Sequence, residues 1–441
     1  MRKGNMGRAC TALSLCPKKS FCYITSGFIR SSRGHRHQKQ SSARHNKFVI
    51  LGDLLMKKSL LALVALSAFA GAAHAQSSVT LYGIIDEGFN INTNAGGKHL
   101  YNLSSGVMQG SRWGLRGTED LGGGLKALFV LENGFDVNSG KLNQGGLEFG
   151  RQAYVGLSSG FGTVTLGRQY DSVVDFVGPL EAGDQWGGYI AAHPGDLDNF
   201  NNAYRVNNAV KFTSANYGGF TFGGLYSFGG VAGDFSRNQT WSLGAGYTNG
   251  PLVLGVGYLN ARTPSTAGGL FGNNTTSSTP AAVTTPVYAG YASAHTYQVI
   301  GAGGAYSFGA ATVGITYSNI KFMNFASTVF PNQTATFNNA EINFKYQLTP
   351  TLLAGAAYDY TQGSKIAGSS AAKYHQGSVG VDYFLSKRTD VYAIGVYQHA
   401  SGNVIEADGN TVGPATAAIN GLTPSSNRNQ FAARVGIRHK F

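Results

Sequence analysis

From Val79 to Phe441 the chain repeats one unit: about ten residues of alternating apolar and polar character, a short turn, a second such run, then a longer polar loop. In residues 340–347, Ala340, Ile342, Phe344 and Tyr346 fall on one face and Glu341, Asn343, Lys345 and Gln347 on the other. A period of two is a strand with one greasy and one wet side. The same stripe runs through Trp241, Leu243, Ala245 and Tyr247, through Leu252, Leu254, Val256 and Tyr258, and through Val379, Val381, Tyr383 and Leu385. Seven short turns, among them 120–124, 216–219 and 249–251, join such runs as hairpins. Eight longer segments separate the hairpins, near 92–109, 136–146, 170–203, 229–238, 261–295, 321–339, 362–374 and 400–427. Fifteen connections imply sixteen strands, with both chain ends on the short-turn side.

An even strand number with short turns at one end and long loops at the other is the sequence form of a barrel in a bacterial outer membrane. In hydrocarbon every backbone N–H and C=O must be paired within the protein, so a spanning sheet has to close on itself. The apolar stripes then face lipid, and Tyr226, Phe228, Tyr247, Tyr258, Tyr317 and Tyr360 near strand ends form aromatic girdles at the head groups. A soluble sandwich of sixteen strands would need several cores and a linker, and no linker is visible. The predicted fold class is therefore all-β: a transmembrane 16-stranded antiparallel up-and-down β-barrel with an inward-folded third loop.

That third loop carries the chemistry. Between Arg168 and Arg205 lie Asp171, Asp175, Glu181, Asp184, Asp196 and Asp198, with no Lys or Arg among them. A segment this long without a clear period is uncommon in a compact fold and points to function or disorder. Phe176, Leu180, Trp186, Tyr189, Ile190 and Phe200 argue for packing. The loop is expected to fold into the barrel and set its acids against wall arginines at the narrowest part of a wet pore. Glu181 and Asp184, near its middle, are the acids expected at the channel. Arg168 has the parity of outward Val164 and Leu166, so it reaches the lumen only if a bulge intervenes.

Charge is a misleading guide until the N-terminus is set aside. The formal charge of +13 suggests nucleic acid. Met56 begins a signal-peptide pattern, however: Lys57 and Lys58, an apolar run from Leu60 to Ala70, and the small-residue site Ala73-His74-Ala75, with cleavage expected before Gln76. The run is too short to cross a bilayer, which takes roughly 20 apolar residues. Residues 1–55 read as a spurious or disordered upstream extension, and they hold all three cysteines. Setting residues 1–75 aside takes away 13 of the 34 Lys and Arg and one of the 21 acids, leaving a net charge near +1. Nucleic acid is then no longer an expected partner, and residues 76–441 form the barrel.

Several stretches together resemble the Gram-negative general porins, in particular the betaproteobacterial type. They are residues 77–83 (SSVTLYG), 111–127 (SRWGLRGTEDLGGGLKA), 149–157 (FGRQAYVGL), 165–169 (TLGRQ) and 435–441 (VGIRHKF). The likeness covers essentially all of 76–441. It implies a homotrimer of sixteen-stranded barrels in the outer membrane, each passing small hydrophilic solutes and ions by passive diffusion. By motif position it places a basic ladder at Arg112, Arg151, Arg168 and Arg205, with Glu132 as a wall acid. The terminal Phe441 resembles the assembly signal of such barrels, with His439 a mild departure.

No cofactor, metal or catalytic residue is expected. The six histidines after residue 75, His99, His193, His295, His375, His399 and His439, are scattered without metal-ligand spacing. Gly122 to Gly124 form a turn rather than a phosphate cradle, because no helix follows. Beside passive diffusion stand two other readings: a substrate-selective channel, favoured by extra lumen aromatics, and a surface adhesin or barrel enzyme, favoured by a sealed lumen or a compact catalytic cluster.

Overall fold

The structure, a computed structural model, describes residues 77–276, 283–366 and 368–441. The expected extension at 1–55 and signal peptide at 56–75 lie outside the described residues. Among the described residues nineteen strands follow in chain order. They are β1 (Ser78–Ala95), β2 (Lys98–Ser105), β3 (Arg112–Gly122), β4 (Leu125–Gly134), β5 (Gln152–Ser159), β6 (Gly162–Gln169), β7 (Val206–Ser214), β8 (Phe220–Ser227), β9 (Thr240–Asn249) and β10 (Leu252–Arg262). After these come β11 (Thr296–Phe308), β12 (Ala311–Met323), β13 (Thr334–Thr349), β14 (Leu352–Gly363), β15 (Lys373–Phe384), β16 (Thr389–Ser401), β17 (Asn403–Ile405), β18 (Val412–Pro414) and β19 (Asn429–Lys440). Seventeen belong to one antiparallel sheet, and β17 with β18 forms a separate ribbon in the last long loop.

The sheet closes. β19 pairs with β16 on one side and with β1 on the other, and Phe441 exchanges both backbone hydrogen bonds with Gly83 at 3.1 Å. β2 and β3 both lie against β1, one along its end and one along its start, so they are a single wall position interrupted at residues 106–111. The seventeen strands therefore make a sixteen-position barrel. The first long loop expected near 92–109 is instead mostly strand. β1 runs to Ala95, Gly96 and Gly97 turn with positive φ, and β2 follows at once. Alternating Asn, Thr and Leu side chains made this rim stretch resemble a loop.

Alternation sorts the two faces as the sequence requires. Ile342 is 54% exposed on the outside of β13, while its neighbour Glu341 is 3% exposed on the inside. The third loop, residues 170–205, folds inside. Asp171 caps the short helix α1 (Ser172–Phe176) by accepting from the amides of Val173 at 2.8 Å and Val174 at 3.3 Å.

Inward-facing glycines make room for this loop, since only glycine lets another chain approach a strand so closely. A Cβ on Gly244 would sit 2.4 Å from the Phe176 ring, one on Gly301 2.5 Å from Phe200, and one on Gly355 2.2 Å from Trp186. The loop then crosses to the opposite wall. There the Tyr189 amide donates to the carbonyl of Val107 at 2.7 Å, within the break between β2 and β3.

Candidate functional site

Each wall arginine sits where a strand begins. Arg112 opens β3 directly after the break, Arg151 precedes β5, and Arg205 precedes β7. Together with Tyr170 and Asn274 they face Asp184 of the third loop across a cavity of about 780 Å³. Arg112 Nε donates to the carbonyl of Gly110 at 2.8 Å. Arg151 donates from Nε to Glu132 at 2.8 Å and from its terminal nitrogen to the Tyr170 hydroxyl at 2.9 Å. Arg205 lies over the Tyr170 ring, 5.8 Å from its centroid, and among the described residues its buried Nε has no hydrogen-bond partner. Burial, and then the like charge of Arg151, push the Arg205 guanidinium down to about 10, so it remains charged at neutral pH.

The acids divide unevenly. Asp184 is exposed to the cavity, and Asn201 donates to it at 3.0 Å. Its depth in the barrel pushes its carboxyl up to about 7 against the pull of Arg112 and Arg151. Because the side chain reaches the lumen, channel water offsets part of that push. Glu132 does not reach the cavity: it is 4% exposed and is held by Arg151, by the Tyr82 hydroxyl at 3.1 Å and by the Tyr170 hydroxyl at 3.3 Å. Glu181 points the other way, fully buried between the loop and the wall.

Arg168 turns inward through a register shift between Gly167 and Gln169, the bulge its parity required. It is nevertheless buried away from the cavity. Its guanidinium donates to the carbonyls of Gly150 and Asn273 and to the side chains of Asn207 and Asn274, tying the wall to the fifth loop. Arg116 stacks over the Tyr82 ring at 5.1 Å.

Behind the loop lies a cluster that sequence reasoning missed. His193 is fully buried, with Nδ1 2.7 Å from Asp198 and Nε2 3.3 Å from Thr316, 3.8 Å from Glu341 and 3.7 Å from Asp359. Glu181 accepts from the His193 amide at 2.7 Å, Ser318 donates to Asp198 at 2.6 Å, and Glu341 accepts from the Ala182 amide at 2.9 Å. Burial opposes a charge on His193, but Asp198 and Glu181 outweigh it and hold the imidazole well above the ordinary histidine range. In return Asp198 is held low despite its burial, while burial pushes Glu181 well up. The loop is thus fixed to β12, β13 and β14 by a buried imidazolium among carboxylates. A lone His five residues before an Asp gives no sign of this, because half the cluster comes from strands more than a hundred residues away.

Among the described residues that line this cavity, three guanidinium groups face one exposed carboxylate. Fixed charges in such a gap act on ions and polar solutes by field and by size. The Gram-negative porin family matches residues 62–403. An outer membrane porin protein of Bordetella pertussis is 33% identical over 437 residues, which cover 88% of this chain and 100% of that protein. Outer membrane porin protein 32 of Delftia acidovorans is 32% identical over 407 residues, with the same coverage. Among solved structures, an anion-selective porin from Comamonas acidovorans superposes with a TM-score of 0.63 at 25% identity, covering 83% of this chain and 100% of that one. The chain belongs to the Gram-negative porin family, an outer-membrane barrel whose water-filled lumen passes small hydrophilic solutes by passive diffusion.

Proposed function

We propose that the gap between Asp184 and the wall arginines Arg112, Arg151 and Arg205 is the constriction of this channel, and that it favours anions. The observation that carries the reading is the imbalance at the cavity: three guanidinium groups line it, and Asp184 is the carboxylate facing them. Glu132 neutralises part of Arg151, and Glu181 is turned away, so neither restores the balance. The related barrel from Comamonas acidovorans is described as anion-selective, which agrees with this sign. Arg168 serves the same site indirectly, by holding the fifth loop beside it.

Screening sets the size of the effect. The Debye length is about 10 Å at 0.1 M salt and about 3 Å at 1 M, so selectivity should be modest and should fall as salt rises. The channel is further proposed to work as a homotrimer, as the family resemblance implies, without enzymatic activity, and with residues 56–75 removed on export, as their signal-peptide pattern indicates. Reversal potentials in a potassium chloride gradient across a planar bilayer test the central reading. The expected potential is that of a chloride-preferring channel, moving toward potassium when Arg112, Arg151 and Arg205 are replaced together by Gln. A wild-type potential on the potassium side would overturn it.

A further inference from the structure

A second space, bounded by three of the long loops, adjoins the constriction. It holds about 440 Å³, within the roughly 300–1,000 Å³ of small-molecule sites. The third loop supplies Tyr189 and Tyr204, the fifth Tyr288, and the last Ile419, Asn420 and Leu422. Tyr189 and Ala203 line this chamber and the arginine cavity alike, so the two spaces meet at those residues. Their walls differ in kind. Among the described residues around the chamber none is charged, whereas Arg112, Arg151 and Arg205 stand in the neighbouring cavity.

The aromatic walls are held in place. The Tyr204 ring is tilted on Phe271 with 4.8 Å between centroids, and its hydroxyl is 2.9 Å from that of Tyr288. The Tyr189 ring rests on the backbone of Gly421, where φ is 74° and a Cβ would come within 3.1 Å of it. Asn420 Nδ2 donates to the carbonyls of Ala192 at 3.1 Å and His193 at 2.8 Å, which pins the last loop to the third beside the chamber. Two polar atoms remain available: among the described residues the Tyr189 hydroxyl and Asn420 Oδ1 make no hydrogen bond. At the junction the Arg205 guanidinium gives one hydrogen bond among the described residues, from Nη1 to the carbonyl of Ala203 at 3.3 Å.

An uncharged wall of rings and aliphatic side chains favours an apolar ring, through area removed from water and through offset ring contact. It offers a small inorganic anion nothing. A guanidinium with uncommitted N–H groups favours a carboxylate. We propose that the junction of the two spaces binds aromatic carboxylates, with the ring in the chamber against Tyr189 and Tyr204 and the carboxylate toward Arg205. A hydroxyl on the ring would meet the Tyr189 hydroxyl or Asn420 Oδ1. The assignment rests on the arginine cavity being the constriction, and gives that constriction a substrate class in addition to a sign of charge. A solute held there stands in the path of chloride and lowers its current.

The test records single-channel chloride current in planar bilayers while sodium benzoate, sodium acetate or benzyl alcohol is added. Benzoate is expected to half-block the current at a concentration roughly tenfold below that of acetate, with benzyl alcohol weaker than benzoate by a similar factor. Tyr189→Ala should raise the half-blocking concentration of benzoate roughly tenfold relative to that of acetate, and Tyr189→Phe, which keeps the ring, should hold it within about twofold. Benzoate no stronger than acetate, benzyl alcohol as strong as benzoate, or an equal change for benzoate and acetate in Tyr189→Ala would each overturn the proposal. The reversal potential, taken in the same bilayers before any addition, separates the two readings. A potassium-side value counts against the constriction itself, whereas a chloride-side value with no preference for benzoate counts against the chamber alone.

Discussion

Asp184 and Glu181 are three residues apart on one loop, yet one faces channel water and the other is sealed against the wall beside His193. Their presence near the loop's middle was legible in the sequence; their directions were not, because the irregular turns through 178–187 have no period from which to count. Arg168 shows the opposite case. Its parity announced that only a bulge could bring it inward, and Gly167, with φ of 138°, supplies one. What parity could not show was that the fifth loop would then occupy its guanidinium.

Asp184 yields two predictions. Asp184→Asn should raise the anion-to-cation permeability ratio roughly two- to fivefold, because an exposed charge interaction is worth about 1 kcal/mol or less. Its carboxyl is pushed up toward about 7, so lowering the pH from 8 to 5 protonates it and should move the ratio the same way. Reversal potentials measured across that range check both, and the variant should lose the pH response.

The third loop is the element on which the site depends, and it is held by shape and by charge. Shape comes from glycines on the inner wall. Glycines recurring along β8 to β11 and in β14 and β15 looked like ordinary strand and turn composition, and their role became plain only once Phe176, Phe200 and Trp186 were seen in the spaces they leave. Gly244→Val is expected to displace Phe176 and raise open-channel current noise in single-channel recordings.

Charge comes from His193. His193→Gln leaves Asp198, Glu341 and Asp359 facing one another without a cation, and should weaken loop docking by roughly 3–5 kcal/mol, the usual cost of removing one partner from a buried pair. Because His193 is held above its ordinary value of 6.5, its contribution is complete below that pH and is lost as pH rises through the raised value. Glu181, pushed up by burial, acts in the same direction, whereas Asp198, held low, loses its contribution only in acid. Alkaline solution should therefore loosen the loop, read as faster proteolytic nicking within 170–205 of the folded protein.

At the scale of the molecule, the barrel was almost wholly readable from alternation and turn spacing. A closed sheet in lipid leaves its backbone no other solution, so strand number and facing follow from the pattern of side chains. The exception was the first long connection, where polar alternation in β1 and β2 extends the wall to the rim. Closure depends on the last residues: the Phe441 ring lies against Gly83, where a Cβ would come within 2.3 Å of it. Removing Phe441 should lower the temperature at which the folded barrel converts to its unfolded mobility in detergent gels.

The claim on which function rests is that the third loop crosses the lumen with Asp184 toward the current and Glu181 away from it. The three cysteines of the sequence all precede residue 56, so a single introduced thiol can report on either position in the barrel. A charged thiol reagent added during single-channel recording should reduce the current through Asp184→Cys within seconds to minutes and leave Glu181→Cys unaffected. Equal reaction at both positions, or block at 181 with none at 184, would contradict it.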